Sequence, residues 1–297
     1  MKYSKIRPRI IAAQTLANAP YYARHGSLEV RLARDKAEIK ASQNLRYKIF
    51  YEEMSAKPNR MMKLARRDRD PYDGVCDHLL VIDHSKGRHG AVVGSYRLLR
   101  QDVAERHRGF YSADEYDISP LFSEEFKRRM GKSGQLLELG RSCVHKEYRT
   151  TATITLLWRG IASYLMEHNI AYMFGCASLP GIDPAEHAIP LSYLYHEHLA
   201  PEDAMVRALP HRFVNMNILP PDAYTMREAR RMLPPLIKGY LRLGCFIGDG
   251  AVVDYQFSTT DVFILLPVER IAKRYSVHYD LETGANDAEL EAAAARA

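Results

Sequence analysis

The stretch Gln135–Ser178 sets strand, helix and strand in direct succession, and it restricts the fold more than any other part of the chain. Gln135–Val144 (QLLELGRSCV) and Ala171–Ser178 (AYMFGCAS) are apolar runs of strand length. Between them, Thr150–His168 carries Ile154, Leu157, Trp158, Ile161 and Leu165 at offsets 0, 3, 4, 7 and 11, one face of a helix. Thr150, Thr151 and Thr153 are its candidate N-caps, because a hydroxyl there accepts from an orphan first-turn amide. Upstream, Ser27–Ala33 alternates as a strand, Lys36–Met54 is helical, and strands His78–Asp83 and Ala91–Leu99 flank a turn-rich link. Gln101–Gly134 reads as a long loop, and Asp183–Leu199 as a helix broken by Pro190. A Pro-rich stretch, 201–235, precedes a helix at Leu236–Leu243, strands at Ala251–Phe257 and Asp261–Leu266, and a last helix at Glu269–Tyr279. Early hairpin-like neighbours and imperfect alternation predict a mixed α/β sheet.

Charge is unevenly placed. The net +6 hides a first seventy residues with 17 Lys and Arg against seven acids, which suits an acidic partner: nucleic acid, an anionic lipid surface or an acidic carrier protein. Without a zinc-finger, RRM or basic-zipper pattern, nucleic acid is not expected. No apolar run reaches the ~20 residues of a membrane helix. The apolar stretch Ile10–Ala13 is too short for a secretory signal, and Cys76, Cys143, Cys176 and Cys245 lie far apart. A cytoplasmic protein with reduced thiols is expected.

Several chemistries are poorly supported. His187, His196 and His198 lack metal-ligand spacing, so no metal is expected. His78–Asp83 would place base and partner on opposite strand faces, and Cys143 with His145 lacks an orienting third group. Glycine-rich phosphate loops are absent. More informative is a dispersed set: Arg46, Asp70, Asp73 and Asp77, Arg97, then Glu138 with Arg141. The last two sit in an apolar strand, where charge must be paired or functional, and a bulge at Gly140 would bring both to one side.

These pieces occur in the order seen in the GNAT superfamily, in the branch containing acyl-homoserine-lactone synthases. The chain resembles that branch through Arg46–Phe50, Asp70–Asp77, Val92–Leu99 and Glu138–Arg141. It is still more similar to bacterial L-ornithine Nα-acyltransferases, through SLEVRLA, LELGRSCVHKEYR, LLWRGIA, PPLIKGYLRLG and GDGAVVDYQFSTTDV, which span Ser27 to Tyr279. The resemblance implies an α/β (α+β) GNAT-like fold: a mixed, mostly antiparallel central sheet flanked by helices. It places an extension at 1–26, an acyltransferase domain at 27–280 (core 27–180, extension 181–280) and a low-complexity tail at 281–297.

The resemblance also implies an activity: transfer of a 3-hydroxy fatty acyl group from acyl carrier protein to the α-amine of L-ornithine. No cofactor would be permanently bound, the donor being the carrier's acyl-phosphopantetheine. Glu138 would take the amine proton, and backbone amides of Arg141–Cys143 would polarise the carbonyl. Arg46, Arg97 or Arg141 would grip the acceptor carboxylate, and Asp73 or Asp77 its side-chain ammonium. Ser142, Cys143, Val144, Arg149, Thr150 and Thr151 would meet the pantetheine arm. The pyrophosphate loop of these enzymes is glycine-rich, whereas Arg149–Ile154 (RTTATI) has no glycine, which favours a carrier phosphodiester over free CoA. Phe110, Leu121, Phe122 and Trp158 are candidates for the fatty-chain pocket. Arg60, Lys63, Arg66, Arg67 and Arg69 form the densest basic cluster, for docking the carrier or the inner membrane surface. Alternatives are a homoserine-lactone-type synthase, an acyltransferase for another amino acid, or a non-enzymatic membrane-surface protein.

Overall fold

A computed structural model describes residues 21–271. Nine strands form the main sheet: β1 (Tyr21–His25), β2 (Leu28–Leu32), β3 (Asp77–Asp83), β4 (Ala91–Arg100), β6 (Gln135–Val144), β7 (Ile170–Pro180), β9 (Phe246–Ile247), β10 (Val252–Asp254) and β11 (Thr259–Pro267). Their order is β1-β2-β3-β4-β6-β7-β11-β10, with β9 also on β11. The short β5 (Tyr116–Asp117) and β8 (Arg207–Ala208) pair separately. Every ladder of the main sheet is antiparallel except β6–β7, which is parallel. The cause is the connection: a helix carries the chain back across the sheet between β6 and β7, as a parallel pair requires. β1 and β2 form a hairpin, so the sheet begins inside the stretch assigned above to an N-terminal extension.

The helices are α1 (Lys36–Tyr47), α2 (Arg60–Ala65), α3 (Gln101–Arg106), α4 (Glu124–Met130), α5 (Thr151–Glu167), α6 (Ala188–His198), α7 (Met226–Met232) and α8 (Pro235–Arg242). One face of the sheet packs Val30, Leu79, Leu137, Met173 and Ile264 against α5 to α8. On the other face lie α1 and the segment 101–130, which buries Phe110, Tyr116, Leu121 and Phe126 on Tyr172, Phe174 and Phe263.

Five local expectations change. Gln101–Gly134 is not an open loop but holds α3, 3-10 turns at Tyr111–Asp114 and Ser119–Phe122, β5 and α4, because its aromatic side chains cover the sheet. The helix expected through Met54 is α-helical only to Tyr47 and continues as a π-helix, Lys48–Glu53. Pro190 lies in the first turn of α6, where its missing N–H costs nothing, so it does not break that helix. α5 starts at the expected cap, Thr150, whose hydroxyl accepts from Thr153 N. Its buried stripe, however, runs Leu156–Leu157, Gly160–Ile161 and Tyr164–Leu165, leaving Ile154 44% exposed. Gly160 explains the rotation: a Cβ there would lie 2.7 Å from Val30 Cγ2, so this side approaches the sheet most closely. The strand expected at Ala251–Phe257 ends at Asp254. Most of the last helix, and the tail, lie outside the described residues.

Candidate active site

β6 and β7 are zipped only at one end. Their pairing runs from Gln135↔Ile170 to Glu138↔Phe174 and stops, while β7 stays paired with β11 through Thr259↔Pro180. Gly175 marks the divergence, since a Cβ there would stand 2.3 Å from Leu139 O. A cavity at this point is lined by Leu139, Gly175, Cys176 and, from α8, Tyr240. On its other edge β6 bulges. Between the pairs Arg97↔Gly140 and Ser95↔Cys143, one residue of β4 opposes two of β6, Arg141 and Ser142. Arg141 takes the extra residue's strain with φ +52°, a conformation L-residues rarely adopt. The bulge expected at Gly140 is thus present one residue later, and it brings Arg141 to the face that carries Glu138 and Arg97.

Three arginines and three aspartates interlock there. Arg46, fully buried, pairs with Asp68 at 2.8 Å and Asp73 at 2.8 Å. Arg97 holds both Asp70 oxygens at 2.6 Å and reaches Asp73 at 3.4 Å. Arg141 contacts Asp68 and Asp70 only at 3.3 Å, and its guanidinium lies 5.0 Å from the Tyr111 ring and 4.6 Å from that of Phe257. Burial would raise the Asp70 carboxyl, but Arg97 and Arg141 outweigh it and hold it below the usual range. The π-helix serves this lattice by bringing Tyr51 to donate to Asp68 at 3.0 Å.

Glu138 is the last paired residue before the strands part. Its carboxylate is buried and accepts from Tyr111 N (2.7 Å), Ser112 N (2.6 Å) and Ser112 Oγ (2.5 Å). Burial nonetheless raises its pKa against those three bonds. Ser112 Oγ lies 3.7 Å from Cys176 Sγ, which is 3.6 Å from Glu115 Oε2.

Comparison with known proteins sets this geometry in a family. The acetyltransferase (GNAT) domain model matches residues 45–159. The L-ornithine N(alpha)-acyltransferase of Brucella abortus (strain 2308) is 51% identical over 261 residues, 87% of this chain and 91% of the relative. That of Rhizobium meliloti (strain 1021) is 49% identical, covering 88% and 87%. The chain belongs to the L-ornithine N(alpha)-acyltransferase family. It is an acyltransferase with a GNAT-like fold. Among solved structures, the acyl-homoserine-lactone synthase LasI matches with TM-score 0.42 and 12% identity over 82% of this chain and 91% of that one.

Within this L-ornithine N(alpha)-acyltransferase family member, the expected site residues separate. Arg46, Asp73, Arg97, Glu138 and Arg141 come together. Asp77 does not: it lies on the opposite sheet face under α5, where Tyr164 Oη donates to it at 2.6 Å, because it is one residue out of phase with His78. Cys143 is buried, and burial pushes its thiol up to about 12, which leaves no thiolate for nucleophilic work. His145 instead faces Lys48 at 2.9 Å. Phe110 and Leu121 are core residues, and Trp158 packs edge-on to Tyr240. Ser142 lies in the bulge and Val144 follows it, and Arg149 is exposed beside Glu53 just before the α5 cap and Thr151. Arg60, Lys63, Arg66 and Arg69 are exposed and Arg67 half-exposed on and after α2, with Arg66 bonded to Glu52.

Asp68, Tyr111, Ser112, Glu115, Cys176 and Asp261 were missed. Asp68 lies in the alternating run Arg67–Asp70, but nothing in that run says which of its charges turns inward. The others come from segments read as loop or plain strand, and their charge acquires meaning only through burial.

Proposed function

We propose that this enzyme transfers a 3-hydroxy fatty acyl group from acyl carrier protein to the α-amine of L-ornithine by direct aminolysis. The observation that carries the reaction is the parted β6–β7 pair with Glu138 at its apex; the acceptor comes from the named activity of its relatives. The acyl thioester enters the split with its carbonyl toward the amides of the bulge, Arg141–Cys143, which stabilise the developing oxyanion. The ammonium of ornithine loses a proton through the Ser112 hydroxyl to Glu138, whose raised pKa suits it as acceptor. The amine nitrogen then bonds to the thioester carbon. Collapse breaks the carbon–sulfur bond, the leaving pantetheine thiolate takes up the second proton of the attacking nitrogen, and the proton on Glu138 is released to solvent. No acyl-enzyme forms.

Arg46 and Arg97 are spent on buried aspartates, so Arg141, with its long 3.3 Å pairings and 11% exposure, is assigned the acceptor carboxylate. Asp73 is likewise spent, and serves to hold Arg46 and Arg97. Ser142, Cys143 and Val144 run beside the pantetheine arm. Arg149, Thr150 and Thr151 meet its single phosphate at the positive end of α5. No cofactor is permanently bound. Arg60, Lys63, Arg66, Arg67 and Arg69 dock the carrier. The adjoining Met61 and Leu64 are 71% and 81% exposed, which fits peripheral contact with an anionic inner membrane surface; among the described residues no helix is long and apolar enough to cross a membrane. The enzyme acts on the cytoplasmic side.

Incubation with 3-hydroxyacyl carrier protein and L-ornithine, followed by mass spectrometry and thiol titration, should give lyso-ornithine lipid with equimolar carrier thiol. Equal or better use of acyl-CoA would overturn the carrier assignment, and a lactone product the acceptor.

A further inference from the structure

A second group of acids closes the same face of the sheet, beyond Cys176. Glu115 comes from the segment between α3 and α4, and Asp261 from β11, directly opposite Ser178 of β7. Tyr116 ties the two together by donating to the Asp261 carbonyl at 3.0 Å. Among the described residues Glu115 has one cationic partner, Arg212 at 2.8 Å. Asp261 is only 7% exposed, has no ion pair among the described residues, and leaves Oδ1 buried with no hydrogen-bond partner. Asp254 adds a third carboxylate to the local field. Against these three carboxylates stand Arg212 and the more distant Arg141, so the buried group is short of positive charge, an arrangement that costs free energy unless a cation arrives.

The line of contacts from Glu138 through Ser112 and Cys176 ends at Glu115. One end of this line is assigned to the reacting amine and the other is acidic. In an extended ornithine the two nitrogens stand about 6 Å apart by ordinary bond lengths. We propose that Glu115 and Asp261 hold the side-chain ammonium of the acceptor, selecting short-chain diamino acids over uncharged ones. This rests on the acceptor assigned above and deepens it, replacing Asp73 and Asp77 in that role. Burial, with mutual repulsion, lifts the Glu115 carboxyl to about 7 and burial lifts that of Asp261 to about 6, so both stand ready to ionise against an incoming cation.

The test is calorimetric binding of L-ornithine and of L-norvaline, which has the same carbon chain without the ammonium, to the full-length protein. Wild type should prefer ornithine. Asp261→Asn and Glu115→Gln should each weaken ornithine about tenfold or more while leaving norvaline unchanged. Ser178→Lys keeps both acids and delivers a tethered ammonium opposite Asp261, so it should exclude ornithine but not norvaline. Equal affinity of wild type for the two amino acids, or unchanged ornithine binding in the folded variants, would overturn the proposal. Binding that depends on both acids without acyl transfer from the carrier protein would sink the reaction assignment while leaving this ammonium site standing.

Discussion

Glu138 and Glu115 are buried carboxylates three contacts apart in one chain of side chains, yet their partners set them to different tasks. Glu138 accepts from three donors, two of them from Ser112, so it both pins the 3-10 turn at Tyr111–Asp114 and terminates the proposed proton path. Glu138→Gln should lower turnover about a hundredfold or more while near-UV circular dichroism keeps its native form; retained turnover removes Glu138 from the mechanism. Glu115 is raised by burial and by Asp261 and Asp254, against Arg212 and Cys176, from the ordinary 4.5 to about 7. A carboxyl raised on folding stabilises fully below its unfolded pKa and loses that contribution as pH rises through the folded one. Without acceptor, wild type should therefore lose denaturant resistance relative to Glu115→Gln between about pH 5 and pH 8. A constant difference across that range would show that Glu115 titrates normally.

At the scale of the element, the site is made by two strands that stop being regular. The β6 bulge puts Arg141 at positive φ, and Gly175 lets β7 pass within contact of the Leu139 carbonyl before the strands part. Gly175→Ala should cost about 1–3 kcal/mol in urea unfolding and depress activity, since either backbone must shift to admit the methyl group; an unperturbed midpoint would mean that the apex is loose. The charge alternation within QLLELGRSCV announced an irregular strand, because Glu138 and Arg141 cannot share a face of a regular one. The rotation of α5 was not legible. Ile154 is as apolar as Leu156, and what decides between them is the close seat that Gly160 allows on Val30.

At the scale of the molecule, the positive charge that the described residues contribute to the first seventy divides into two uses. Arg46 and Arg31 are buried and neutralised within the fold, by Asp68 and Asp73 and by Glu38 and Glu29, whereas the residues around α2 point outward. Reversing Arg66 and Arg67 to Glu should raise KM for acyl carrier protein about tenfold, leave kcat unchanged and flatten the salt dependence of kcat/KM. An unaltered KM would leave this patch as solvated surface. Sequence alone determined the sheet-and-helix class, narrowed the α5 cap to three threonines and picked out Arg46, Arg97, Glu138 and Arg141, because periodicity and isolated charges in apolar runs are local signals. Tertiary structure alone decided that Asp77 faces away, that Asp68 completes the arginine lattice, and that Glu115 meets Asp261 across 146 residues of chain. Desolvation and pairing depend on what the rest of the chain brings alongside, and no local pattern encodes them.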